Sequence, residues 1–256
     1  MASLRNPTRR FALPLLTVII ALCLWEGTVR LTHIPAYILP APSQIAAVFA
    51  ADLGSFPMWN NLGVTASETL LGFLAGSFLG LALGVVIGEF PLAGDALYPI
   101  IVAFQAMPKV AIAPLLLVWF GFGLGSKVAI AALLAFFPLL VNTVLGLRTS
   151  DPDQEELMKA LAASRWQVFK MVRFRNALPS IFAGLELAMV FSVIGAIVGE
   201  FVGARAGIGY MIQQRNANVD IAGIFSLLVL LGAFGAVLTY TVKIAADRVV
   251  FWTRRS

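Results

Sequence analysis

Charge is scarce in this chain. Only 12% of its 256 residues are Asp, Glu, Lys or Arg, against about 25% in an average soluble domain. Hydrophobic residues make up 60%, so water is not its main solvent. A single cysteine, Cys23, excludes any internal disulfide. It closes Ile20-Ala21-Leu22-Cys23, only a faint likeness of a lipoprotein site, because Leu22 is bulky where a small residue belongs. The lone histidine, His33, has no cysteine, histidine or acidic cluster beside it in sequence, which argues against a metal site. Gly-x-Ser-x-Gly and His-Glu-x-x-His are both missing, and with them the usual marks of a membrane hydrolase. The stretch Gly121-Phe122-Gly123-Leu124-Gly125-Ser126-Lys127 looks superficially like a phosphate loop, but Ser126 stands where the second glycine must precede the lysine. The expectation is a chain that holds no nucleotide and no cofactor of its own.

What the sequence has instead is apolar length. A helix needs roughly 20 apolar residues to cross about 30 Å of hydrocarbon, and six runs qualify or nearly so: 11–25, 62–87, 97–120, 128–147, 181–199 and 221–244. The first is short and follows Arg5, Arg9 and Arg10, as a secretory signal would. No small-x-small cleavage site comes after it, and Glu26, Arg30 and a proline-rich stretch follow, so an anchor helix is expected rather than a removed leader. With six spans and the N-terminus inside, Arg5, Arg9, Arg10, the six basic residues of 148–175, and Lys243, Arg248, Arg254 and Arg255 share one side. Arg30, Lys127, Arg205 and Arg215 fall on the other, and Lys109 falls within a span. Short basic loops are retained on the cytoplasmic side, so both termini and the 148–175 loop are expected there. The net charge of +5 is then a topology signal and no argument for nucleic-acid binding.

Along the chain, residues 1–61 read as an N-terminal anchor helix and an outer-surface segment, with Ser43 expected to cap a short helix through Asp52. Residues 62–250 form the transmembrane core, including a loop at 148–178, and 251–256 form a tail. Gly72, Gly76, Gly80, Gly84 and Gly88 recur every fourth residue, a face that lets another helix approach closely in lipid. Plain helix packing is the simpler reading of it; a surface that slides during a cycle is the other. Gly184, Ala188, Ser192 and Ala196 make a second such row. Pro108 and Pro114 interrupt the third span, and broken helices at membrane depth line cavities or are buried in protein. Lys109 in that break and Glu186 in the fifth span are costly charges unless paired or facing water. Gln105, Pro108, Lys109, Glu186 and Ser192 are therefore the residues expected along a path through the membrane. Lys109 could instead snorkel from a re-entrant segment. The glycine-dense Gly199-Glu200-Phe201-Val202-Gly203-Ala204-Arg205-Ala206-Gly207-Ile208-Gly209-Tyr210 reads as a tight turn rather than a regular helix, with Glu200, Gly207 and Gly209 at an outer gate.

Between the fourth and fifth runs lies a polar island, 148–175, holding ten of the chain's charged residues. Its core, Glu155-Glu156-Leu157-Met158-Lys159-Ala160-Leu161-Ala162-Ala163-Ser164-Arg165-Trp166, has a helix pattern. Leu157, Ala160 and Leu161 share a face, and Glu155 and Lys159 are spaced to pair. A short amphipathic helix between spans suits docking, either on a protein or, through Arg165, Lys170, Arg173 and Arg175, on anionic lipid.

This island resembles the cytoplasmic "EAA" motif of permease subunits of bacterial ATP-binding-cassette importers: a Glu-Ala-Ala, a Gly six residues after the Glu, and a later Leu-Pro. Glu156 takes the Glu position and Ala162 the Gly position. Ser164-Arg165-Trp166-Gln167-Val168-Phe169 and Ala177-Leu178-Pro179-Ser180-Ile181 follow as in the nitrate, sulfonate and taurine branch. Leu157 and Met158 replace both alanines, and Phe174-Arg175 stands where a first Leu-Pro is usual. Pro40-Ala41-Pro42-Ser43-Gln44, Met107 to Leu115, Trp119-Phe120-Gly121-Phe122-Gly123, Phe137-Pro138, Asn142-Thr143 and Gly207-Ile208-Gly209-Tyr210 resemble the same branch in the same order. The stretch 105–123 is similar to permeases serving pyrimidine, thiamine-precursor or flavin uptake.

The resemblance implies an all-α polytopic fold of about six transmembrane helices with a cytoplasmic coupling helix, of the type I importer kind. It implies a multi-pass protein of the bacterial inner membrane that works as a homodimer with two cytoplasmic ATP-binding-cassette subunits, which hold ATP and Mg²⁺, and an external solute-binding protein. Glu155, Glu156, Lys159, Ala160, Ala162, Ala163, Ser164 and Arg165 would form the ATPase-coupling segment. The solute would be a small polar or anionic one, moved inward by alternating access. A stand-alone secondary transporter or channel is the rival. It calls for repeat halves with paired interrupted helices and several in-membrane carboxylates, and neither is evident. A membrane enzyme would need a cluster of reactive groups at one interface, and none is visible.

Overall fold

The protein, described here from a computed structural model over residues 7–252, builds its regular structure in that range from helices alone. Arg5, Arg254 and Arg255, used in the charge argument above, lie outside the described residues. In chain order the helices are α1 (Pro7–Leu31), α2 (Pro42–Leu53), α3 (Phe56–Glu89), α4 (Pro91–Ala106), a 3₁₀ turn (Lys109–Ile112), α5 (Ala113–Phe120), α6 (Leu124–Arg148), α7 (Pro152–Ala160), α8 (Arg165–Val168), a π turn (Phe169–Arg173), α9 (Phe174–Gly203), α10 (Ile208–Ala217) and α11 (Ile221–Val249). Among the described residues, five helical stretches are long and apolar enough to cross a bilayer: Ala12–Leu31, Phe56–Glu89, Leu124–Arg148, Arg165–Gly203 and Ile221–Val249. The sixth is a broken one, Leu92–Ala106 with Lys109–Phe120, bent by 86°. The break falls at Pro108, where a missing N–H and a ring clash stop α4. Pro114 makes no second break, because it sits in the first turn of α5, where its lost donor is not needed.

The chain divides into two compact units. In the first, Met1–Trp59 with Met211–Leu230, polar side chains tie helix ends together. Glu26 of α1 accepts from the N–H and hydroxyl of Ser43, at 3.0 and 2.8 Å. The cap of α2 is Ala41 rather than Ser43: Pro42 opens the helix, and Gln44 reaches back to the Ala41 N–H at 3.1 Å. Asp52 at the other end of α2 accepts from Arg215 Nη2 at 2.5 Å and Ser226 Oγ at 2.6 Å.

The second unit, Asn60–Tyr210 with Leu231–Ser256, is centred on α6. The glycine row of α3 packs on it. A Cβ at Gly80 would stand 2.7 Å from the Phe136 carbonyl oxygen, and one at Gly84 2.7 Å from Thr143 Cβ. The small residues of α9 approach from another side, with Gly184 against Leu139 and Asn142. Both rows are therefore packing faces. They let three apolar helices touch backbone to backbone where lipid supplies no hydrophobic force between them. Leu139, Leu147, Ala177 and Ile181 fill the space between α6 and α9. One boundary differs from the sequence expectation: Gly199 to Gly203 continue α9, and only residues 204–207 form the turn. Hydrogen bonding within α9 and burial of Glu200 outweigh the local glycine content.

Candidate functional site

The polar loop between α6 and α9 is built by caps. Asp151 accepts from the Asp153 N–H at 3.0 Å, and Pro152 follows at the first helical position, so α7 starts there. It stops at Ala160, six residues short of the expected Trp166. The Ala163 N–H bonds to the Met158 carbonyl at 3.0 Å and the Ala162 N–H to Lys159 at 2.9 Å, the two bonds of a Schellman ending. That ending needs a left-handed residue, and Ala162 supplies it with φ of 56°. This is the position where the importer motif carries glycine, so the loop keeps the turn at the cost of a strained alanine. Ala162→Gly is expected to stabilise the ending by roughly 1 kcal/mol. Amide exchange across 157–165 should slow about fivefold. An unchanged rate would remove strain as the account of this turn. Ser164 then caps α8 in a reciprocal box with Gln167, at 3.3 and 2.8 Å.

Glu155 and Glu156 face different surroundings. Glu155 bonds to Arg173 rather than to Lys159: Arg173 Nε and Nη2 donate to its two oxygens at 2.9 and 3.1 Å, and the Ser150 hydroxyl donates to it as well. Arg173 Nη1 also reaches Glu89, the last residue of α3, at 3.4 Å. The guanidinium holds the Glu155 carboxyl below its ordinary range against the opposing effect of burial, with the Ser150 hydroxyl helping. A depressed carboxylate contributes stability that is present above its unfolded value and is lost as pH falls through the folded one. Glu156, Lys159, Ala160 and Arg165 are exposed, as are Leu157, Leu161 and Trp166, at 61, 70 and 67%. The Leu157 and Leu161 side chains thus face outward, while the exposed Trp166 ring stacks on Phe169 with centres 5.4 Å apart. Arg175, where the motif carries proline, leaves the backbone free to run from α8 through the π turn into α9 without a break.

The membrane residues separate into three places. Gln105 and Lys109 line a cavity of about 280 Å³ with Phe137, Leu187 and Phe191. The Lys109 ammonium donates to the Gln105 carbonyl at 3.0 Å and lies 4.8 Å from the Phe137 ring centre. Glu186 lines a different cavity, about 580 Å³, with Tyr240 and Lys243 of α11. No ion pair joins Lys109 to Glu186 among the described residues. Ser192 is buried in packing and donates to the Thr69 carbonyl at 2.5 Å. Pro108 is exposed at the break.

The third place is the turn before α10. Glu200 is fully buried. It accepts from Thr65 Oγ1 at 2.6 Å and from the Gly209 N–H. Thr65 in turn accepts from the Ile208 N–H at 2.8 Å, and Asn61 accepts from Gly207 N–H at 2.6 Å. The first N–H groups of α10, which no intrahelical carbonyl can serve, are thereby met. Gly207 has φ of 109° and lies against the Glu200 carboxyl, so no side chain fits there. Lys127, counted from sequence among the basic residues of the outer side, is buried at 2% exposure. Its ammonium donates to the carbonyls of Phe122 at 2.5 Å and Gly203 at 3.1 Å, which finishes the ends of two chain segments at once. Glu68 is buried beside Glu200. Sequence reading missed Asn61, Thr65 and Glu68 as a set. Their spacing of four and three places them on one helix face, the one signal that could have found them.

The sequence profile of the family described as "Binding-protein-dependent transport system inner membrane component" matches residues 72–255. The chain is 37% identical to the riboflavin transport system permease protein of Chloroflexus aurantiacus, over 93% of this chain and 89% of that one. It is 32% identical to the formylaminopyrimidine transport permease protein of Halalkalibacterium halodurans, over 94 and 96%. An inward-facing structure of the MetNI methionine ABC transporter matches 77% of this chain and 97% of its own, with a TM-score of 0.61 at 24% identity, a likeness of fold.

Proposed function

Because this chain belongs to the family of inner membrane components of binding-protein-dependent transport systems, and is thus a permease subunit of an ABC importer, we propose that it moves a planar nitrogen heterocycle of the pyrimidine or flavin class inward by alternating access. Two copies would form the path. Two separate cytoplasmic ATPase subunits, holding the ATP and Mg²⁺, would drive it, and an external solute-binding protein would deliver the cargo. The α6–α9 loop and both termini lie on the cytoplasmic side in this reading, as the distribution of Lys and Arg favours.

The observation that carries the reading is the outward apolar face of α7 and its flank, Leu157, Leu161 and Trp166, in a chain without a nucleotide motif. Exposed apolar side chains on a short polar loop suit a groove on another protein. The heterocycle is supported by the substrates that the two relatives are named for. The Gln105 and Lys109 cavity, with Phe137 and Phe191 as aromatic walls, offers such a ring an amide, a cation and two faces to stack on. Gentle extraction of the tagged chain from its native membrane tests the assembly: a nucleotide-hydrolysing subunit is expected to accompany it, and vesicles holding the complex should accumulate solute only with ATP. Uptake by the purified chain alone would overturn the reading in favour of a stand-alone transporter.

A further inference from the structure

Helix α7 buries none of its nine residues. It therefore has little apolar grip on the spans, and its long-range side-chain attachments are polar. Gln154 accepts from Asn176 Nδ2 at 3.0 Å. Glu155 accepts both arms of the Arg173 fork at 2.9 and 3.1 Å. Cavities of about 330 and 300 Å³ flank this contact, and Glu155 and Arg173 line both. With space on either side, the ion pair bridges a gap that side-chain packing leaves open.

Arg173 has two further properties. It ends the π turn Phe169–Arg173, directly before α9, and single π turns recur at sites that move or bind. Its remaining nitrogen reaches Glu89 at the end of α3, 3.4 Å from both carboxylate oxygens. One planar guanidinium thus joins the loop helix, the start of α9 and the end of α3. A lysine cannot reproduce that geometry, because it offers a point charge instead of a fork.

We propose that Arg173 is a positioning residue, the strut through which displacement of α7 is delivered to α3 and α9 together. The inference rests on the proposed ATP-driven reading for its functional consequence, while the mechanical link stands in the chain itself. Without the strut, α7 could still dock on a motor, but its movement would be absorbed in the cavities beside it.

Two measurements test this. In the assembled transporter, Arg173→Gln should keep assembly and basal ATP hydrolysis within about twofold of the parent while solute moved per ATP falls about tenfold. Arg173→Lys should fall less, and Glu89→Gln should lie between. Raising NaCl from about 0.05 to about 0.5 M should lower the parent's ratio and leave that of Arg173→Gln unchanged, since only the parent has the pair to screen. An unaltered ratio in Arg173→Gln overturns the proposal, and so does a matched loss of assembly, hydrolysis and uptake, which would make Arg173 a folding residue only. In the chain without partners, amide exchange over 152–160 should speed at least about fivefold in Arg173→Gln while 181–203 stays as it was. No change there removes the strut whether or not any ATPase is bound. Absence of a bound ATPase with that exchange difference intact would instead sink only the proposed motor.

Discussion

Glu200→Ala is expected to be the most damaging substitution in this chain, costing about 2 to 4 kcal/mol, because buried donors lose their acceptor. The carboxylate has no access to solvent, so its loss admits no ready replacement by water. It would strand the Gly209 N–H and leave the Thr65 hydroxyl, which donates to it at 2.6 Å, only the Asn61 carbonyl at 3.2 Å. Thr65 also carries the Ile208 N–H, so freeing its side chain to rotate threatens a second N–H at the start of α10. Each buried donor left unmet costs on the order of 1 to 3 kcal/mol. Glu200→Gln keeps an acceptor oxygen in nearly the same place and should cost markedly less. The comparison is made by thermal unfolding in detergent and by the yield of monodisperse protein. If the Ala and Gln variants melt together with the parent, the buried network does not hold the turn. Gly207→Ala attacks the same contact from the other side, since its Cβ would fall on the Glu200 carboxyl at a φ of 109° that disfavours side chains.

That network also marks where the sequence stops being readable. Features set by a residue's own backbone were visible in advance. Pro108 breaks the third span because proline lacks a donor, and the glycines of α3 recur at four-residue intervals because only they allow α6 to approach. The direction of the break and the identity of the approaching helix were not visible, since both are settled by packing. The same division runs through the candidate site. That the 148–175 loop carries a short helix followed from its pattern, and Asp151-Pro152 and Ser164 with Gln167 are local caps. Where α7 ends depended on Ala162 taking a left-handed conformation that alanine seldom takes, so the pattern alone ran the helix on to Trp166. Glu155 looked paired with Lys159 because helix spacing knows only near neighbours. Its partner is Arg173, eighteen positions on. Thr65 and Glu200 are 135 positions apart, and nothing in either neighbourhood announces the other. The burial of Lys127 was hidden for the same reason: the carbonyls that satisfy it belong to a turn and to the far end of α9.

Glu156→Lys is the substitution expected to abolish transport without disturbing the fold. Glu156 is exposed on α7, beside a neighbour, Glu155, that is turned inward to Arg173. Surface changes away from caps and networks cost less than about 0.5 kcal/mol, so thermal unfolding of the chain should be unaltered. Against a partner the arithmetic differs. If Glu156 meets a basic groove on an ATPase, reversing its charge exchanges an attraction for a repulsion, and like charges facing each other across an interface cost several kcal/mol. A loss of about 3 kcal/mol corresponds to a binding constant weakened roughly 150-fold. Uptake in vesicles should fall by a similar order, and the ATPase should wash off the mutant complex, or hydrolyse ATP without moving solute where it stays. Glu155→Gln should show the reverse pattern, with the ATPase retained and α7 loosened from the spans. The two adjacent carboxylates thus separate docking from transmission. Transport at the parental rate in Glu156→Lys would detach this residue from any motor, and identical behaviour of the two variants would mean that α7 does not present one face to a partner and the other to the membrane core.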